Sequence, residues 1–208
     1  MKASHNLLLA GVSCTILSVA NIAPAAADVP GYAEFGVAWT HTASSCAVDP
    51  QHLDKAAFRN ADFSFQPQAF SGLIQTKFGP VYEPIVARCN VLNPLDADPE
   101  KEKPDWNALI VGYADPDGMG INTNVVAKLI RVSRPTGAVV TVATFNSDKS
   151  PSKNIATRHE DLVQFFQPLD FRNNEYYVEL ELIRTPLATQ QAPVIYSVRL
   201  VFVNTGPP

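Results

Sequence analysis

The chain has 208 residues, 46% hydrophobic and 17% charged, with a formal net charge of −4. That suits one domain with a substantial core. The mildly acidic balance, with no basic stripe, excludes the usual nucleic-acid binder. Beyond the first 23 residues no run is apolar enough to span a membrane.

The N-terminus reads as a secretory signal. Met1 to Asn6 is short and carries Lys2, and Leu7 to Ala23 is apolar and uncharged. Ala25 and Ala27 offer the small residues a signal peptidase accepts, which places the cut after Ala27. Cleavage removes Lys2 and no acid, leaving a single domain from Asp28 to Pro208. An uncleaved anchor is disfavoured by the Ala-rich exit. A lipid on Cys14 is disfavoured because Gly11-Val12-Ser13 lacks the usual Leu upstream. The protein is therefore expected in the periplasm or outside the cell, with no membrane span after cleavage.

About ten short strands follow, with little helix. Glu34 to Thr40 alternates, and Phe63 and Phe65 mark a second strand ended by Pro67. Leu73 to Phe78 stops at Gly79-Pro80, Ile85 to Leu92 stops at Asn93-Pro94, and Trp106 to Ala114 is apolar almost throughout. Val125 to Ser133 and Ala138 to Phe145 are joined by the turn Arg134-Pro135-Thr136-Gly137. Leu162 to Phe166, Tyr176 to Arg184 and Val194 to Val203 complete the series. Strands at this spacing, punctuated by 17 prolines, predict an all-β antiparallel sandwich, jelly-roll-like. Asp49 to Asn60 has the spacing of a short helix at the sandwich edge. Asp96 to Asp105, charged in both signs, is expected to be a solvated loop.

Two cysteines survive cleavage, Cys46 and Cys89, and in an exported chain two cysteines most simply form one disulfide. The rival is zinc held by both with His41 and His52, whose spacing lacks the tight pattern of zinc motifs.

The strand Tyr176 to Arg184 sets Glu179 and Glu181 on one face, beside Tyr177. If it forms a hairpin with Val194 to Val203 and Ile183 meets Ile195, then Glu179 faces Arg199 and Glu181 faces Ser197. Tyr177, Glu179, Glu181 and Arg199 are accordingly the candidate ligand-binding residues. A catalytic reading exists too, since carboxylates about 6.5–7 Å apart along a strand approach the separation in inverting glycosidases. Such pairs normally flank a cleft rather than share a strand face, so no catalytic residue is assigned.

Asp115-Pro116-Asp117-Gly118 resembles a fragment of a calcium loop, but it lacks the third acid and distal Glu and reads as an ordinary turn. Asp115 and Asp117 are a weak calcium candidate, and no metal site is assigned. His159, in Arg158-His159-Glu160-Asp161, has no second histidine nearby. Neither a Gly-x-Ser-x-Gly elbow, a phosphate loop nor a dinucleotide fingerprint is present, so no cofactor is expected. Tyr32, Trp39, Tyr82, Trp106, Tyr113 and Tyr177 are the aromatics from which a sugar-stacking platform would be built. The expected function is a non-catalytic exported binding or structural module whose partner is a glycan or another exported protein. The alternative is a polysaccharide hydrolase using the paired carboxylates.

Overall fold

A computed structural model describes residues 33–66, 73–77, 79–93, 104–150, 158–186 and 192–204. The signal segment, its cleavage site, Tyr32 and most of the 96–105 loop lie outside them. The strands are β1 Ala33–Thr42, β2 Ala47–Val48, β3 Ala56–Arg59, β4 Asp62–Phe65, β5 Leu73–Thr76 and β6 Gly79–Tyr82. They continue with β7 Ile85–Val91, β8 Ala108–Ala114, β9 Thr123–Ser133, β10 Val139–Asn146, β11 His159–Gln164, β12 Asn174–Arg184 and β13 Val194–Asn204. Helical structure among the described residues is confined to three 3₁₀ turns, Ala43–Ser45, Pro50–His52 and Ser147–Lys149. The expected all-β antiparallel sandwich is what forms.

One sheet runs β10-β9-β12-β7-β2 and the other β11-β8-β13-β4-β3, with β1 also paired to β13. β5 and β6 form a separate two-stranded ribbon. From β7 onward the chain passes repeatedly between the sheets, since β7, β9, β10 and β12 belong to the first and β8, β11 and β13 to the second. This gives the jelly-roll character. The alternation read from the sequence decides which side of each strand faces the core: Tyr176, Val178, Leu180 and Leu182 of β12 are buried, as are Ile85, Ala87, Cys89 and Val91 of β7. β8 explains its unbroken apolar run. Leu109, Val111 and Tyr113 face the main core, while Ala108 and Ile110 join Val201 and Val203 in a second cluster on the opposite side of the sheet. A strand buried on both faces has no polar side to show.

Three expectations are corrected. β12 and β13 do not form a hairpin: β12 pairs with β7 and β9, and β13 with β8, β1 and β4, in different sheets. Their inward residues meet across the core instead of side by side. Alternation along β13 also breaks, because a bulge at Tyr196 puts Ile195 on the same inward side as Val198 and Leu200. The helix expected within Asp49–Asn60 is the 3₁₀ turn Pro50–His52 followed by β3, which pairs with β4 from Ala56↔Phe65 to Arg59↔Asp62. Pairing with β4 supplies the backbone partners that a helix would otherwise provide.

Cys46 and Cys89 are joined by a disulfide. Cys46 immediately precedes β2, whose Ala47 and Val48 pair with Arg88 and Ala87 of β7, so it meets Cys89 as the next step of the same ladder. The bridge therefore pins the β2 edge of the five-stranded sheet. This settles the zinc alternative: both thiols are consumed, His52 accepts a hydrogen bond from the Val86 N–H at 3.2 Å, and His41 is bonded to the Ser45 hydroxyl at 2.8 Å.

Candidate functional site

The outer face of the five-stranded sheet is built by the residues that alternate with the core set. Glu179 stands opposite Arg88 of β7 on one side and Lys128 of β9 on the other, and Tyr177 stands between Asn90 and Ile130. The side chains follow the ladder. Arg88 donates from Nε and Nη2 to Glu179 Oε2, at 3.2 and 3.0 Å, and its Nη1 donates to Asp49. Lys128 Nζ lies 3.4 Å from Glu179 Oε1 and 3.0 Å from Glu181 Oε2. The result is an alternating row of acid and base across β9, β12 and β7 to Asp49 after β2, with the glutamate side chains 19% and 21% exposed. Burial works against the charge on Arg88, yet its hydrogen bonds to Glu179 and the nearby Asp49 outweigh it and hold its pKa above the ordinary value. Lys128 behaves the same way: burial opposes its charge, and Glu181 and Glu179 override it. The Arg88 guanidinium also lies 5.9 Å from the Tyr177 ring centroid, leaving a half-buried aromatic beside exposed Asn90.

The structure thus brings together Tyr177, Glu179 and Glu181 but not Arg199. Arg199 belongs to the other sheet, 3.7 Å from Glu160, and Ser197 donates to Glu160 at 3.3 Å. The cross-strand partners expected from a β12–β13 hairpin are replaced by Arg88 and Lys128. Their outward parity is legible in the alternation of Ile85–Val91 and Val125–Ser133, whereas their neighbourhood to β12 is not, because all three strands are far apart in the chain. The aromatic platform does not assemble. Trp39, Trp106 and Tyr113 are buried, and Tyr82 packs against Arg184, whose guanidinium is 5.0 Å from its ring.

Asp115 and Asp117 do meet, at the junction of β8 and β9, and a third acid that the sequence reading missed, Asp148, joins them. Fully buried Asp115 bonds to the hydroxyls of Thr123 and Ser147, both at 2.5 Å. Asp117 accepts from the backbone N–H groups of Asn122 and Thr123 and also contacts the Thr123 hydroxyl. One hydroxyl proton cannot serve two carboxylates. Burial, the first cause, with the Asp117 charge pushes the Asp115 pKa up, while the bonds from Ser147 and Thr123 work against the rise. Asp148 accepts from Asn124 at 2.8 Å. Among the described residues no group of three or more His, Cys, Asp or Glu side chains is arranged to hold a metal ion.

Around His159, Asp161 accepts from the Tyr113 hydroxyl at 2.7 Å and from Ser150. The aspartate, not the histidine, occupies the middle of this group, so it lacks the order that activates a serine nucleophile.

Neither a family model nor a curated protein matches the chain. Among solved structures it is similar to the xylan-binding module CBM15, with a TM-score of 0.37 and 11% identity over 81% of this chain and 97% of that one. It is also similar to the Stig cyclase Fisc from Fischerella sp. TAU, with a TM-score of 0.33 and 10% identity over 83% of this chain and 88% of that one. At these scores neither likeness carries an argument, and the conclusions rest on the strands and side chains themselves.

Proposed function

We propose that the chain is an exported, non-catalytic module that binds a glycan on the outer face of the five-stranded sheet. One observation carries the reading: both glutamates that a hydrolase would use are engaged by cations in a continuous ladder. A general acid and base need environments that push their pKa values apart. Glu179 and Glu181 instead share Lys128. What the ladder offers is a set of oriented donors and acceptors beside a half-buried tyrosine, the combination that sugar hydroxyls and the apolar face of a sugar ring require. Export is supported by the Cys46–Cys89 bridge, since disulfides persist in oxidising compartments. No helix of the described residues is long and apolar enough to cross a membrane.

Calorimetric titration against a panel of soluble polysaccharides tests the reading. Binding to at least one is expected, with Tyr177→Ala weakening it by about tenfold or more at unchanged melting temperature. Absence of binding across the panel, or binding indifferent to Tyr177→Ala, overturns it. Sustained release of reducing sugar that Glu179→Gln abolishes would put the hydrolase forward instead.

A further inference from the structure

Edge strands expose unpaired backbone groups, and folded proteins blunt them with charge, shortness, proline or bulges. Most edges of this sandwich follow the rule. β2 has two residues, β3 has four and carries Arg59, β11 carries Glu160 and Asp161, and β1 carries Glu34 and His41 in its sequence. β10 is different. From Pro135 to Ser147 there is no charged residue and no histidine, and β-branched side chains fill most of the strand. Val139 is 62% exposed and Val140 40% exposed. Among the described residues, 139–145 make no backbone hydrogen bond outside the ladder to β9. At its far end β10 is screened by the Phe145–Tyr113 contact, with His159 of β11 beside Tyr113. Among the described residues, the half nearest the β9–β10 turn has no such cover.

We propose that this half of β10 pairs antiparallel with β10 of a second copy of the chain, joining two five-stranded sheets across a two-fold axis. A second copy fits because the edge is complementary to itself. Val139 and Thr141 pair with Val132 and Ile130 of β9 and project outward, whereas Val140, opposite Arg131, projects inward. Opposite residues of antiparallel strands point to the same face, so a register centred on a residue is required. With Val140 on the axis, Val139 lies beside the partner subunit's Thr141. An aliphatic side chain then meets the threonine methyl, with no buried charge on either side. No residue from 135 to 147 carries a charge that would select a charged partner segment. The bulge between Thr141 and Ala143 limits the pairing to 139–141 of each copy. The interface is therefore small and reversible. Because the axis uses the same edge of both copies, the assembly closes at two.

Sedimentation velocity on the purified protein over a wide concentration range tests this. A dimer growing with concentration is expected, and Val140→Lys should raise its dissociation constant by about tenfold or more. The control Leu53→Lys, at a distant site 59% exposed, should leave it unchanged. Should Val140→Lys disturb folding, oxidative cross-linking of Val140→Cys decides, since a residue on the axis meets its own copy and a cysteine at Leu53 does not. A monomer at every concentration, a dimer indifferent to Val140→Lys, an uncross-linked Val140→Cys or open-ended polymer would each overturn the proposal.

Discussion

One oxygen of Asp148 is buried with no hydrogen-bond partner among the described residues. Burial first, then the charges of Asp115 and Asp117, push its pKa from 3.8 up to about 7. The folded state therefore holds a proton that the unfolded chain has released between those two values. Where the native state binds more protons, stability falls as pH rises, so this contribution is present below the ordinary carboxylate value and lost on passing neutrality. Asp148→Asn should leave the melting temperature nearly unchanged at about pH 4 and raise it at about pH 8; thermal melts across pH check the crossing. Glu179 makes the opposite case, a carboxylate whose partners have other partners. In Glu179→Gln, Arg88 keeps Asp49 and Lys128 keeps Glu181, so the cost should be about 1 kcal/mol or less. Leu180→Ala, one residue along and fully buried, should cost about 2–5 kcal/mol. Urea titration of the two variants reads the difference directly. Equal losses would mean that the ladder is part of what holds the sheet together.

Among the elements, the disulfide ties the segment that enters β2 to β7. Cys46 and Cys89 are 43 residues apart and extend the β2–β7 ladder of one sheet. A loop of that length contributes about 4 kcal/mol in the chain-entropy treatment. Replacing both cysteines by serine should lower stability by that order, measured by denaturant unfolding. A change near zero would mean that the β2–β7 pairing beside the bridge already holds the two segments together. The bulge in β13 is a second such device. It turns Tyr196 outward across Gly112, where any Cβ would collide with the tyrosine ring and the Ser197 hydroxyl. The Tyr196 hydroxyl then donates to the His159 carbonyl at 2.9 Å, and the Arg158 guanidinium caps its ring at 4.9 Å. Gly112 is in the sequence without any turn signal around it, and only the close approach of Tyr196 accounts for it.

At the scale of the whole molecule, the mature protein is proposed to begin at Asp28. Mass spectrometry of secreted material should find that residue at the N-terminus. An intact Met1, or a lipid on Cys14, would return the chain to an anchored form and place the sandwich at a membrane surface.

The fold class was legible because period-two alternation and proline punctuation are local properties, readable one strand at a time. So were the parity of each strand, the buried set Tyr176, Val178, Leu180 and Leu182, and the single cysteine pair. Which strand lies beside which was not. The alternation of β12 and β13 matches equally well whether their apolar sides are neighbours in one sheet or face each other across the core, because each arrangement buries Val198 and Leu200 of β13 and the same four residues of β12. Only the tertiary structure chose the second, and with it gave Glu179 to Arg88 and Lys128 and left Arg199 with Glu160. The bulge at Tyr196 escaped for a related reason: a one-residue slip leaves no mark in composition, and its cause, the space over Gly112, belongs to another strand. The acidic cluster shows the same limit, since Asp115 and Asp117 share a local turn while Asp148 reaches them through the fold alone.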